Sequence, residues 1–315
     1  MMQKIILDVD TGIDDALALL YTIGEKEANL IGVTTTYGNI DVNQATKNTL
    51  NILDLAGATD IPVYQGATHS LASKEYRRRE VAIQIHGEDG IGDTKIKPST
   101  RAPEEQDAID FLIEAALQYG EELKLIFVGP LTNLTRAYEK NPAALLNVNE
   151  IVIMGGALTV PGNVTDFAEA NIIEDAHAAK TILESSLPLK LVGLDVTMRT
   201  ILTQKETHKW FNYRNEKSQI IAEMTDYYFK SYQEQLEMPG CALHDPLAVG
   251  IALYPDLAKT LALDLTVQLK EPAQGRTIGD YEKLNNRTPT TETCLQVDKE
   301  KFLALFMNSM EKVLI

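Results

Sequence analysis

Short apolar runs of strand length alternate along the chain with stretches whose apolar residues recur every three or four positions. The first run, "KIILDV" (Lys4–Val9), reads as a buried strand, and "DDALALLYTI" (Asp14–Ile23) as the helix after it. "LIGVTTTY" (Leu30–Tyr37) reads as a second strand, and "VNQATKNTLNILDLAG" (Val42–Gly57) as a helix closed by its glycine. "IPVYQG", "LKLIFVGP", "EIVIMGGA" and "LKLVGLD" supply further strands, separated mainly by helical patterns such as "EDAHAAKTILESS". This rhythm predicts an α/β protein: an open, mostly parallel, Rossmann-like central sheet flanked by helices. No repeat or low-complexity linker divides the 315 residues, so one domain spanning 1–315 is expected.

Two regions break the rhythm. Residues 66–103 show no convincing long element and carry "RRRE" and "HGEDGIGD"; a long structureless segment beside a sheet predicts an active-site loop region. Residues from about 200 to 240 look helical and aromatic ("HKWFNY", "DYYFKSY"), as an insertion covering one end of the sheet would.

Composition narrows the function classes. Hydrophobic content of 44% and charged content of 23% are ordinary for a globular chain. A net charge of −16 argues against nucleic acid as partner, and the single basic run Arg77-Arg78-Arg79 is too small to reverse it. Cys241 and Cys294 form no CxxC pair, which removes zinc and dithiol motifs and fits reduced thiols. No apolar run approaches membrane-spanning length and no long apolar segment follows the first methionines, so a cytoplasmic protein with no membrane association is expected.

The candidate chemistry gathers where strands end. In an open α/β sheet ligands bind on the loops after the carboxyl ends of the strands. Asp8 and Asp10 close the first strand, with a spacing of two that predicts one shared face; Asp14 and Asp15 open the following helix. Gly38-Asn39, Val128-Gly129-Pro130, "MGGALTVPGNVTDFAEAN" and "CALHDPLAV" follow later strands. Taken singly, Asp14, Asp15 and Asp245 could be helix caps, His244 a core histidine, and Asn163 and Asn171 turn formers. Capping does not account for Asp8 and Asp10. Carboxylates joined by a backbone carbonyl make a hard-oxygen site of the kind calcium or magnesium prefers, and no Cys or His pair competes for zinc. An EF-hand fails, because counting from Asp8 puts Ile13 where that loop needs glycine. A P-loop and a GxGxxG are both absent.

These motifs, in this order, resemble the inosine–uridine preferring nucleoside hydrolases. That family opens on DTDPGxDDA, which stands here as "DVDTGIDDA" (Asp8–Ala16). The likeness continues through "TTYGN" (Thr35–Asn39), "HGEDGIG" (His86–Gly92), "VGPLTNL" (Val128–Leu134), "IVIMGGA" (Ile151–Ala157), "GNVTDFAEANI" (Gly162–Ile172) and "HDPLAV" (His244–Val249).

The resemblance implies a calcium-dependent N-ribohydrolase acting on purine or pyrimidine nucleosides, usually a homodimer or homotetramer. By motif position, Asp10, Asp15, Asp245 and the carbonyl of Val128 would hold Ca²⁺, and Asp10 would be the general base. Asp14, Asn39, Met154, Asn163, Glu169 and Asn171 would bind ribose, with Asp8 in support. An oxocarbenium-like transition state suits a cluster of carboxylates, since positive charge grows on the sugar. The leaving base needs a proton donor, for which His244 is the first candidate because imidazole titrates near neutral pH. His86, Tyr228, Tyr232 and His244 are candidate base-pocket residues; Tyr228 and Tyr232, four apart, share a helix face.

Three positions depart from the family pattern. Val9 and Thr11 replace its usual Thr and Pro, and Ala170 stands where relatives usually carry Phe between the Glu and Asn ligands. The purine-specific relatives sandwich the base between tryptophans; Trp210 is this chain's only one and none lies near His86, which disfavours a purine-only enzyme of that type. A competing reading takes "DVDT" as the DxD of a haloacid-dehalogenase-type phosphatase, with Asp8 as nucleophile and Mg²⁺ as metal. Gly12 then falls where that motif wants Thr or Val. A ribose-binding protein without catalysis is a third reading, which no residue recommends.

Overall fold

The strand formed by the first apolar run lies at the centre of an eight-stranded sheet ordered β3-β2-β1-β4-β5-β6-β12-β9. The structure is a computed structural model and describes residues 2–315. Its strands are β1 (Gln3–Val9), β2 (Ala28–Thr35), β3 (Val63–Gln65), β4 (Leu123–Phe127), β5 (Glu150–Met154) and β6 (Leu189–Val192). They continue as β7 (Ile201–Leu202), β8 (Cys241–Ala242), β9 (Ala258–Leu263), β10 (Leu265–Val267), β11 (Thr277–Gly279) and β12 (Thr291–Val297). All pairings in the large sheet are parallel except β12 with β9. Two small antiparallel ribbons, β7–β8 and β10–β11, stand apart from it.

The helices are α1 (Ile13–Gly24), α2 (Val42–Ala56), α3 (Glu80–His86), α4 (Ala108–Tyr119), α5 (Thr132–Lys140), α6 (Pro142–Leu145) and α7 (Ala170–Glu174). After them come α8 (Ala176–Leu183), α9 (Leu194–Thr197), α10 (Gln204–Thr207), α11 (Glu216–Leu236), α12 (His244–Leu253) and α13 (Lys299–Leu314). Asp41 caps α2 by accepting from the amides of Asn43 and Gln44; Gly57 ends it in the left-handed region, the glycine stop that the sequence pattern predicts.

Alternation along β1 builds both faces of the core. Ile5, Leu7 and Val9 pack with α1, α12 and α13, while Ile6 faces the opposite layer with α4, α5 and α8. Helices α1 and α12 are buried almost all round and pack against each other. Burying each large apolar side chain there contributes about 1.5–3 kcal/mol.

The chain order reverses between β1 and β4: β2 and β3 extend to one side of β1, β4 to β6 to the other. At such a switch point the loops after neighbouring strands diverge and leave a crevice. The loops after β1 and β4 carry Asp10 and Val128.

Two expectations need correction. The region 66–103 is not structureless, because "EVAIQIH" forms the seven-residue α3. Asp8 and Asp10 do not share a face, since β1 ends at Val9 and period-two geometry stops there. The aromatic region near 200–240 is helical as expected, and its 21-residue α11 packs against α3.

Candidate active site

Three helices begin around one cleft. Asp14 and Asp15 sit in the first turn of α1, Asp245 in the first turn of α12, and Glu169 is the N-cap of α7. Each N-terminus carries partial positive charge and unpaired N–H groups, which favours carboxylates there. Carboxylate oxygens of Asp14, Asp15 and Asp245 come within 4.8 Å of one another.

Asp15 is both cap and cluster member. Its Oδ2 accepts from the Gly12 amide at 2.8 Å and from Asn39 Nδ2 at 3.1 Å, and its Oδ1 from the Asp10 amide at 3.1 Å. Asp10 accepts the Asn39 amide at 2.6 Å through Oδ2, while its Oδ1 is buried without a partner. Asp14 Oδ1 is likewise buried and unpartnered. The closest trio thus contains Asp14, expected on ribose, and not Asp10, whose carboxylate is turned toward Asn39.

Burial, followed by repulsion among neighbouring carboxylates, pushes Asp10 and Asp245 well above the usual carboxylate range. Asp14 is raised to about 7 by burial and by the charge of Asp15. Asp15 is raised by burial, opposed by its hydrogen bonds. No Lys or Arg pairs with these four among the described residues. Oxygen donors crowded together, some orphaned, and lacking a protein cation, fit a hard divalent metal.

The remaining expected residues complete the walls. Asn171 donates through Nδ2 to the carbonyls of Val128, at 2.7 Å, and Met154, at 3.2 Å. One lone pair of the Val128 carbonyl is therefore taken, and no second donor reaches it among the described residues. Glu169 accepts from the amides of Gly156, Asn171 and Ile172. Asn163 Oδ1 accepts from the Ala170 amide and folds its loop over the opening. Every expected site residue lines the cleft except Asp15, which lies just behind it.

At the other end stands a file of hydroxyls and imidazoles. Tyr232 Oη is 2.8 Å from His244 Nε2, and the Thr197 hydroxyl is 2.8 Å from His244 Nδ1. Tyr228 Oη is 3.5 Å from Tyr232 Oη. Burial lowers His244 to about 4, so its surroundings favour the neutral imidazole and not the titration near neutral pH expected from sequence. His86, within the region expected to be an active-site loop, instead ends α3, buried, with Nδ1 accepting from the Ile13 amide at 3.1 Å. That bond and a fall to about 3, caused first by burial, make its 3.9 Å approach to Asp14 a neutral contact. A Cβ on Gly12 would lie 2.6 Å from His86 Nδ1 and 2.7 Å from Asn39 Nδ2, so only glycine lets both close on this turn.

Sequence reasoning missed Arg79, Val81, Ala82 and Ile85 at α3, and Glu174, Met198, Gln235 and Leu236 from other elements. The helical spacing of Val81, Ala82 and Ile85 was the available signal. Thr197 carried none, being one threonine in a short turn.

Asp8 is fully buried off the cleft. Its Oδ2 accepts from Thr34 Oγ1 at 2.6 Å and Asn133 Nδ2 at 2.7 Å, on the β2 and α5 side. A nucleophile must reach substrate, so the phosphatase reading is not supported. Trp210 is buried in the core and does not line the cleft.

The sequence model of the inosine-uridine preferring nucleoside hydrolase family matches residues 5–304. The chain is 31% identical over 316 residues to the inosine-uridine preferring nucleoside hydrolase of Crithidia fasciculata, covering 99% of both chains. It is 33% identical over 315 residues to a probable uridine nucleosidase 2 of Arabidopsis thaliana, covering 98% of this chain and 97% of that one. Among solved structures, a purine-preferring ribonucleoside hydrolase from Gardnerella vaginalis superposes with a TM-score of 0.97 at 41% identity, with 99% of both chains covered.

Proposed function

Because the chain belongs to the inosine-uridine preferring nucleoside hydrolase family, it is an N-ribohydrolase, and we propose how its residues divide the work. The reaction adds water across the N-glycosidic bond of a ribonucleoside and releases ribose and free base.

The family is metal-dependent and the carboxylate cluster fits a metal; calcium is the ion we propose, held by Asp10, Asp15, Asp245 and the Val128 carbonyl. Bound calcium would neutralise the cluster, anchor ribose hydroxyls and acidify a water. Asp10, through its unpartnered Oδ1, takes the proton of the attacking water. Asp14, Asn39, Asn163, Glu169 and Asn171 hold the ribose hydroxyls, and Met154 packs beneath the sugar. As the C–N bond lengthens, positive charge grows on the ribose, and the fixed carboxylates lower the energy of that state. The bonding pair leaves with the base, which takes a proton from the Tyr232–His244 pair.

The observation that carries this reading is the convergence of three helix N-termini, and their carboxylates, on one cleft at the switch point. Purine nucleosides, inosine foremost, are the substrates we favour. The 41% identity to a purine-preferring hydrolase supports that. Trp210 in the core supports recognition without a tryptophan sandwich. Cys241 and Cys294, both buried and unpaired, suit a cytoplasmic enzyme, and no helix among the described residues is long and apolar enough to cross a membrane. A homodimer or homotetramer is the assembly we expect.

The test is a panel of inosine, uridine, cytidine, adenosine and their 2′-deoxy forms. Ribose should appear from ribonucleosides, fastest from inosine, and deoxy forms should be turned over at least roughly a hundredfold more slowly. Equal rates with deoxy forms would overturn the assignment of the ribose contacts.

A further inference from the structure

The three consecutive arginines before α3 have three different fates. Arg77 pairs with Glu75 at the surface, and Arg79 bonds Glu174 at the cleft mouth, 2.6 Å from Nε to Oε2. Arg78 has no carboxylate partner among the described residues. Its guanidinium donates only to backbone carbonyls: Nε to Asn39 at 2.6 Å, Nη1 to Glu88 at 2.9 Å, and Nη2 to Gly87 at 2.7 Å and Ala82 at 3.5 Å.

Three of those acceptors belong to α3 and the turn after it, so they are local. The fourth lies 39 residues away in the loop after β2. Arg78 therefore uses the α3 turn as an anchor from which to grip the Asn39 peptide. The neighbouring peptide is held from the same segment, since the Tyr76 hydroxyl donates to the Gly38 carbonyl at 2.5 Å. The gripped residue faces the cluster: its amide reaches Asp10 Oδ2 and its side chain Asp15 Oδ2. A planar fork with donors in fixed directions can satisfy this set of carbonyls together; an ammonium can reach one or two.

We propose that Arg78 is a positioning residue for nucleoside hydrolysis, fixing the Asn39 peptide so that the Asn39 side chain meets the carboxylate cluster and the ribose. The proposal rests on the ribose role given to Asn39 above and adds the group that sets its place.

The test is a double-mutant cycle with inosine as substrate, thermal midpoints being measured alongside. Arg77→Met, which removes the same charge from the same segment, should stay within about twofold of wild type. Arg78→Met should lower kcat/KM roughly tenfold, mainly by raising KM. In an Asn39→Ala background the same substitution should cost less than about threefold, because the residue it positions is gone. Should Arg78→Met not fold, Arg78→Lys replaces it, with an expected loss of about threefold beside Asn39 and none beside Ala. Equal losses in both backgrounds, or no loss at all, would overturn the proposal. A wild-type enzyme that releases no ribose would overturn the functional reading instead.

Discussion

Tyr232 and His244 share a buried hydrogen bond, 2.8 Å from Oη to Nε2, that joins α11 to the first turn of α12. With the Thr197 hydroxyl on Nδ1, the imidazole is held from both sides, so its plane is fixed relative to the cleft. A neutral histidine with a tyrosine in front of it passes a proton on more readily than it stores one. The loss on removing His244 should therefore depend on the leaving group. For His244→Ala, kcat on inosine should fall by about a hundredfold or more, and on p-nitrophenyl riboside by less than about tenfold. Tyr232→Phe should show the same selectivity at smaller size. Steady-state rates on both substrates check this, and equal losses would take the pair out of the acid role.

Gly38 allows a contact that no other residue permits. A Cβ there would lie 2.1 Å from Asp10 Oδ2 and 2.9 Å from the Pro130 ring. Gly38→Ala should displace Asp10, lowering kcat/KM more than about tenfold and destabilising the fold by about 1–3 kcal/mol. Denaturant melts and kinetics on one preparation would show both effects.

Stability of the metal-free protein should fall with rising pH. Burial raises Asp8 and Asp14 to about 7, against an ordinary value of 3.8, despite the opposing bonds from Asn133 and Thr34 at Asp8. Between those values the folded chain holds more protons than the unfolded one. The stabilisation is complete below about pH 4 and is lost as pH climbs through about 7. Calcium should reverse the trend, raising the thermal midpoint more at pH 8 than at pH 5. Melting curves in chelator and in calcium across that range check the sign; a chelated protein that grows steadily more stable from pH 5 to 8 would contradict it.

Asp8 should matter to placement and not to chemistry. Asp8→Asn keeps the side chain's shape and one acceptor for Thr34 or Asn133. Ribose release should drop less than about tenfold, and p-nitrophenyl phosphate should not be hydrolysed by either form. A complete loss would move Asp8 into the reacting set.

Much of the site was legible because its residues sit at places the sequence marks. Asp14, Asp15 and Asp245 open helices whose apolar periodicity is plain, and Asn39, Val128 and Met154 end or follow strands that read as apolar runs. The different directions taken by the Asp8 and Asp10 side chains were not legible, because they turn on where β1 stops, and a strand end has no sharp signal after "KIILDV". Nor was α3: seven residues give barely two turns of periodicity, so Val81, Ala82 and Ile85 passed as loop. The neutral state of His244 depends on burial beside Tyr232 of α11 and Thr197 of α9, both distant in sequence, which no local pattern encodes. Arg78 could not be told from its neighbours in the basic run, its decisive partner Asn39 being distant in sequence.

The central claim is that Asp10 and a calcium-loaded carboxylate cluster hydrolyse ribonucleosides. It is tested most directly by ribose release from inosine in four samples: wild type with calcium, wild type with chelator, chelated wild type with calcium restored, and Asp10→Ala with calcium. Ribose and hypoxanthine should form in equal amounts in the first and third. Release should fall by at least roughly a thousandfold in the second and fourth, with Asp10→Ala still folded. Undiminished release by Asp10→Ala, or by the chelated enzyme, would contradict the account.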